Sequence, residues 1–307
     1  MNLWQEYLRP TNLSQALKAF AEADGPVLPI AGGTDLLLDL KQGRHAPVHT
    51  LVDVTSVAEM TALESRGDEL FVGAAVPVNR IVLDPLAGAH AQALTEACNL
   101  IAGPQVRNVA TLGGNVAHAL PAADGTIALL ALDAQAEIAA HAPAAAQCTG
   151  GVQTRRAPFK DLFLGPGKST LKHGQELLVG FYIPIKQILR DSQSLRVSSC
   201  FKRIMRPQGV ALPIINLAIW LARENETISD IRIAVGPGGP TPWCATATER
   251  FLLGQPMNEE TFNAALECLL AQVGFRSSAR RASADYRRHM VGGLFKDVLE
   301  TAWERAF

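Results

Sequence analysis

The chain of 307 residues has five cysteines, Cys98, Cys148, Cys200, Cys244 and Cys268, and no C-x-x-C pair. An odd, dispersed set of thiols argues against a disulfide framework and against a zinc site, so buried or incidental thiols are expected. None of the histidines, His45, His49, His90, His118, His141, His173 and His289, belongs to a spaced set resembling metal ligands. An excess of one charge is also lacking. With 28 Lys and Arg against 29 Asp and Glu the net charge is -1, which offers no electrostatic footprint for nucleic acid or an anionic membrane. No uninterrupted apolar run reaches the roughly 18 residues of a spanning helix. Residues 1–10 lack the basic segment, apolar core and small-residue cleavage site of a secretory signal, so a cytoplasmic location is expected. There is no G-x-G-x-x-G turn and no G-x-x-x-x-G-K-[ST] loop, which argues against a Rossmann dinucleotide site and a P-loop.

What the chain does contain is a hydrophobic content of 48%, enough to bury a sizeable core in two domains, and two glycine-centred stretches. These are Ile30-Ala31-Gly32-Gly33-Thr34-Asp35 and Thr111-Leu112-Gly113-Gly114-Asn115. Each sets a glycine pair beside a hydroxyl and a short polar residue, the chemistry of a diphosphate cradle. Glycine leaves no side chain between backbone N–H groups and an anion, and turns through conformations closed to other residues. Either stretch alone reads equally as an ordinary tight turn. Two of the same type, each entered from an apolar run, point to a ligand.

The pattern along the chain is α+β. Asn12 or Ser14 caps a helix to about Ala23, and residues 27–30 read as a buried strand ending at the first glycine loop. Further strands are predicted at 51–54 and 69–74, and helices at 91–101 and 127–134. Residues 139–151, rich in alanine, read as a surface connection. A polar, aperiodic stretch between Pro184 and Ser198 marks a boundary. Beyond it come an apolar run at 210–222, an alternating strand at 228–235, and amphipathic helices at 259–273 and 286–307.

The order AGGTD, then AGPQVRNVATLGGN with PAAD behind it, then Leu177-Leu178 before Ile183-Pro184, then Phe201-Lys202-Arg203 and the arginine-rich stretch 276–287, resembles the FAD-binding medium subunit of the molybdenum hydroxylases, the family of xanthine dehydrogenase and carbon monoxide dehydrogenase. The likeness spans nearly the whole chain. It implies a two-lobed FAD-binding domain of the PCMH, vanillyl-alcohol-oxidase-like type over residues 1–185. A carboxy-terminal α+β domain of the CO dehydrogenase flavoprotein type, a three-stranded sheet with helices, would follow over 195–307. One branch of the family carries an extra iron-sulfur cluster on a cysteine-rich insertion that this sequence lacks, so flavin and no metal is expected here.

The resemblance also implies a set of cofactor-binding residues. Gly32, Gly33, Gly113 and Gly114 would contact the diphosphate, with Thr34 and Thr111 donating hydroxyl hydrogen bonds. Asp35 and Asn115 either touch the ligand or close their own loops through Asx-type bonds. Asp124 would accept from sugar or ribityl hydroxyls, with a helix N-cap as its alternative reading. Lys202 would lie near the flavin ring, where a cation favours the reduced form. Ile101 and Leu178 would pack on the isoalloxazine, His118 would line the groove, and Ile30, Ala31, Leu36 and Gly103 complete the set. The basic stretch with Arg276, Arg280, Arg281, Arg287 and Arg288 reads either as a solvated face or as an intersubunit salt-bridge surface.

The family further implies partners: a molybdopterin-binding large subunit and a small subunit with two 2Fe-2S clusters, whose electrons pass through FAD to NAD, a quinone or another acceptor. No residue of this chain is then needed as a catalytic acid, base or nucleophile. The alternatives are a self-contained flavin oxidoreductase, such as the reductase that forms UDP-N-acetylmuramate, and a non-catalytic FAD-binding scaffold.

Overall fold

The computed structural model describes residues 2–141, 151–185, 195–206, 212–279 and 281–306. The first lobe is a parallel sheet of β1 (Glu6–Leu8), β2 (Val27–Ile30) and β3 (Thr50–Asp53) in the order β1-β3-β2. Between β1 and β2 runs the helix Leu13–Ala21, whose N-cap Asn12 accepts from the Gln15 N–H at 2.9 Å. It buries Leu13, Ala16, Leu17 and Phe20 along one stripe, the i, i+3, i+4, i+7 spacing of a core-facing helix.

A second lobe is antiparallel. It comprises β4 (Leu63–Arg66), β5 (Glu69–Gly73), β6 (Gln135–His141), β7 (Val152–Pro158) and, after the small hairpin β8 (Phe163–Gly165) and β9 (Lys168–Ser169), β10 (Glu176–Pro184). The order is β4-β5-β10-β6-β7. Residues 139–141 therefore extend a strand, with Ala139 opposite Thr154, where a connection was expected. Gln135-Ala136-Glu137-Ile138 alternates polar with apolar residues, but the adjacent Ala139 and Ala140 break the period before the strand ends. The expected connection otherwise falls on residues 142–150, outside the described residues.

The carboxy-terminal sheet has the order β11 (Leu195–Ile204), β12 (Ile215–Glu224), β13 (Thr227–Gly236), β14 (Trp243–Cys244), all antiparallel. Three strands were expected; the fourth has two residues, too few to show a period. The apolar run of β12 follows from its position. Ile215, Leu217, Ile219 and Leu221 enter a core shared with the helices Glu259–Gln272 and Ala284–Arg305, while Ala218, Trp220 and Ala222 belong to the core of the amino-terminal lobes. A strand covered on both faces loses its alternation.

The same period of two sorts β11. Ser198 donates to the Ala302 carbonyl and Lys202 to Asp297, both on the helix Ala284–Arg305, with Cys200 buried between them in the carboxy-terminal core. Ser199, Phe201 and Arg203 face the other way. Ser199 Oγ accepts from the Ala93 N–H at 3.0 Å, and Phe201 joins the amino-terminal core. The helix Gln92–Leu100 covers this edge strand: Glu96 accepts from the Phe201 N–H at 2.8 Å and pairs with Arg305 at 2.7 Å. Edge groups that would otherwise invite another strand are thus occupied.

In the arginine-rich stretch, Arg287 is buried and donates to the carbonyls of Ile214 and Arg276. It therefore fixes the start of the last helix internally, in place of the solvated or intersubunit role expected for it. Arg280 lies outside the described residues. No helix among the described residues is long and apolar enough to cross a membrane.

Asp53 ends β3 opposite Ile30, where the first glycine loop begins. Its carboxylate accepts from the Thr55 N–H at 2.9 Å, the Thr55 hydroxyl at 2.6 Å and the Tyr7 hydroxyl at 2.9 Å, and Arg9 approaches to 3.2 Å. Burial alone would raise the carboxyl; the Thr55 and Tyr7 bonds and the Arg9 charge outweigh it and hold the group below the ordinary carboxylate value. We expect Asp53→Ala to lower stability at pH 7 by about 2 kcal/mol, the scale for hydrogen bonds to a buried charge. Because the folded value lies below that of the unfolded chain, this contribution is complete above roughly pH 5 and is lost as pH falls through the folded value. Urea titrations at falling pH should show the two proteins converging; a constant gap down to pH 3 would contradict the assignment.

Candidate functional site

β2 delivers the first glycine loop. Ile30 is buried, residues 31–34 are half-buried, and Asp35 is exposed. Gly33 has φ +66°, a region that costs an L side chain about 1–2 kcal/mol. The helix Leu36–Lys41 starts immediately after, with Asp35 at its N-cap but making no side-chain cap bond, so the loop-closing alternative for Asp35 is not taken up. Leu36 packs on the small core of Ile30, Val48 and Leu51. Among the described residues nothing accepts from the N–H groups of Gly33, Thr34 and Asp35. Three successive N–H groups at a turn entering a helix form a cradle for an anion.

The second loop is built differently. Thr111 caps the helix Leu112–Ala117, its hydroxyl oxygen accepting from the Gly114 N–H at 3.1 Å. Leu112 N–H donates to Val76 O at 3.2 Å, Gly113 N–H to Ala74 O at 2.9 Å, and Asn115 N–H to Thr111 O at 3.1 Å. The reading in which both loops offer backbone donors is corrected here: these N–H groups are consumed within the fold. What the second loop retains is the Thr111 hydroxyl proton, the Asn115 amide and open space.

That space is located by asking what a Cβ would meet at each glycine. At Gly32 it would lie 2.1 Å from the Val109 carbonyl oxygen, and at Gly113 2.5 Å from Ala74. These two are glycines because backbone passes against them. At Gly114, which is exposed, it would meet only the Thr111 hydroxyl, at 3.2 Å. The Gly32–Val109 approach also joins the two stretches in space, since Val109 and Ala110 lead directly into the second loop. Asn115 Oδ1 is buried with no partner among the described residues, so it closes no Asx turn. It sits 2.9 Å from the position of a Cβ on Gly125, next to Asp124.

Asp124 opens the fully buried helix Asp124–Ala131, whose N-cap is Ala123; the capping alternative for Asp124 is therefore not realised. Its carboxylate accepts from Asn216 Nδ2 at 2.7 Å and pairs with the Arg203 guanidinium. Burial pushes the carboxyl up from its usual range, opposed by the Arg203 charge and the Asn216 bond. Arg203 and Asn216 are cross-strand neighbours on β11 and β12, and Gly236 lies opposite Asn216 on β13. Arg203 Nε and Asn216 Oδ1 are buried without a partner among the described residues.

Ile101 and Gly103 flank Ala102, which has φ +45°, in a turn held by Arg107 Nη1, which donates to the carbonyls of Ile101 at 3.1 Å and Ala102 at 2.8 Å. Leu178 is buried on β10 beside Val179, whose carbonyl accepts from the Ala74 N–H at 2.8 Å. Ala74 thus connects Leu178's strand to Gly113. His118 is the half-buried C-cap of the second loop's helix. Lys202 turns to the last helix, where its ammonium lies 2.5 Å from Asp297 and 2.9 Å from the Thr301 hydroxyl. Sequence reasoning missed Arg203, Asn216 and Arg107. The parity of β11 could have separated Arg203 from Lys202, since Phe201 and Arg203 must share a face.

Free N–H groups at one loop, an open glycine at the other, and orphaned buried polar atoms around a carboxylate fit the diphosphate and polyhydroxyl parts of FAD. No set of three or more His, Cys, Asp or Glu among the described residues is placed to hold a metal ion.

Comparison with known proteins places this site in a family. Residues 3–186 match the model of the FAD binding domain in molybdopterin dehydrogenase, and residues 199–302 that of the CO dehydrogenase flavoprotein C-terminal domain. The chain is 33% identical over 297 residues to the xanthine dehydrogenase FAD-binding subunit of Escherichia coli O157:H7, covering 96% of this chain and 95% of that one. It is 27% identical over 300 residues to the carbon monoxide dehydrogenase medium chain of Hydrogenophaga pseudoflava, covering 98% and 97%. The solved structure of the carbon monoxide dehydrogenase from Hydrogenophaga pseudoflava that lacks the Mo-pyranopterin moiety superposes with a TM-score of 0.84 at 26% identity, over 99% of this chain and 98% of that chain. With both of its halves matched, the chain belongs to the family of FAD-binding subunits of molybdenum-dependent dehydrogenases.

Proposed function

We propose that the chain holds one noncovalent FAD at the paired glycine loops and serves as the electron-transfer subunit of a cytoplasmic, xanthine dehydrogenase-like molybdenum hydroxylase. The observation that carries this reading is the set of unpartnered N–H groups at Gly33, Thr34 and Asp35, brought by the Gly32–Val109 contact beside a loop that is open at Gly114. Gly33, Thr34 and Asp35 receive the diphosphate, aided by the Thr111 hydroxyl and the Asn115 amide. Asp124 accepts from sugar or ribityl hydroxyls, and Ile101 and Leu178 supply apolar surface for the ring. Bound flavin accepts electrons singly and releases them as a pair. The electrons come from 2Fe-2S clusters on a small partner subunit, fed by a molybdopterin-binding large subunit, and leave to NAD or another acceptor.

Two variants separate cradle from scaffold. Gly114→Asp adds a like charge where phosphate approaches, at a position where the Cβ asks only the Thr111 hydroxyl to give by a few tenths of an ångström; the protein should fold and lose FAD binding by at least about a hundredfold. Gly113→Ala should cost about 1–3 kcal/mol of stability through overpacking against Ala74, whatever its flavin content. Full FAD occupancy in soluble Gly114→Asp protein would refute the cradle.

Acid precipitation of the purified chain should release FAD into the supernatant. Flavin retained on the pellet, or FMN recovered in its place, would refute the cofactor assignment. The isolated chain should not oxidise purines, aldehydes or N-heterocycles, and mixing with the two partner subunits should restore substrate-dependent bleaching of the flavin. Turnover by the single chain at the rate of the whole complex would favour a self-contained flavoenzyme.

A further inference from the structure

We propose that Arg203 is the positioning residue of the flavin site, holding the Asp124 carboxyl group in place and aimed for cofactor hydroxyls, so that the carboxy-terminal sheet forms one wall of the site. The inference rests on the reading that FAD binds at the glycine loops. Three observations carry it. First, the geometry of β11 gives Lys202 and Arg203 opposite faces: Lys202 is engaged by Asp297 and Thr301 of the last helix, whereas Arg203 reaches across to Asp124. Second, both members of that pair are almost wholly buried, with side-chain exposures of 6% for Arg203 and 4% for Asp124. Desolvating two charges costs several kcal/mol per ion, and a buried pair is weak support for a fold when apolar residues would pack as well. A pair kept at a ligand site has a further use. Third, unsatisfied atoms lie beside it: Arg203 Nε and Asn115 Oδ1 are buried without partners among the described residues, whereas Asn216 Oδ1 packs against Gly236 of the neighbouring strand. Native proteins leave few such atoms, and a polar ligand accounts for both at once.

The chemistry is that of an oriented acceptor. A carboxylate has about four lone-pair sites; one on Oδ2 is taken by Arg203 and one on Oδ1 by Asn216, which leaves a site on each oxygen for a hydroxyl. Without the guanidinium the carboxyl loses the bond that fixes Oδ2, along with the charge that opposes the upward push of burial, and its oxygens are free to turn away from the cofactor. The basic residue that matters for the cofactor is then Arg203, through Asp124, and Lys202 is a latch between β11 and the last helix.

A double-mutant cycle on the full chain, with FAD affinity read by quenching of flavin fluorescence and melting temperature followed alongside, tests this. Arg203→Gln should weaken FAD at least about tenfold in the native background and less than about threefold when Asp124→Asn is already present. Arg203→Lys, which keeps the charge, should recover most of the loss, and Lys202→Met should lower the melting temperature with less than about a threefold change in affinity. Should Arg203→Gln not fold, Asn216→Ala takes its place in the cycle, with the same dependence on Asp124 expected. Equal losses from Arg203→Gln with and without Asp124, or a larger loss from Lys202→Met than from Arg203→Gln, would overturn the assignment. A wild-type chain that binds no FAD would instead overturn the flavin reading itself, and this inference with it.

Discussion

A buried carboxylate at the junction of the two matched domains is the constraint around which the rest of the structure is arranged. Asp124 sits at the head of a helix with every residue buried, and burial pushes its carboxyl up, so it calls for charge and hydrogen bonds from whatever packs against it. The packing partner is the carboxy-terminal sheet, and it answers with Arg203 and Asn216 from adjacent strands in register. Small residues make the approach possible. Ala218, Ala222 and Ala234 line the face of the sheet turned toward the amino-terminal core, and at Gly236 a Cβ would lie 2.2 Å from Asn216 Oδ1 and 2.8 Å from Ile127.

The glycine loops depend on this arrangement indirectly. The second loop's helix precedes Asp124 in the chain and is stitched by Leu112 and Gly113 to the segment around Ala74, which in turn is bonded to Val179 of β10. The first loop leans on the approach to the second through Gly32 and Val109. One loop is thereby rigid, its backbone donors spent on the fold, and the other keeps its donors free. On the proposed reading the work of binding is divided: the loop whose donors are spent on the fold shapes the opening, and the unpaired N–H groups meet the charge.

Much of this was legible in the sequence because it is local. The Asn12 cap, the apolar stripe of the first helix, the strand at residues 27–30 and the paired glycines each declare themselves within a few residues. The motif order also led to the family, which both domain matches and the similarity to solved structures now support. What could not be read is what depends on distant segments. Whether a glycine is there for packing is decided at Gly32 by Val109 and at Gly113 by Ala74, both far away in the chain. The end of β6 was hidden by its adjacent alanines and β14 by its brevity. The assignment of Lys202 followed from motif position alone; the period of the strand, which turns Lys202 to the last helix and Arg203 to Asp124, separates the two once residues 195–204 are read as one strand.

The central claim is that the first glycine loop supplies the charge contacts and the second the opening. A crystal structure of the chain with FAD tests it most directly. The account expects diphosphate oxygens at about 3 Å from the N–H groups of Gly33 and Thr34, the diphosphate passing over Gly114, and cofactor hydroxyls on the Asp124 carboxylate. A diphosphate held elsewhere, with the Gly33 and Thr34 N–H groups still facing solvent, would contradict it.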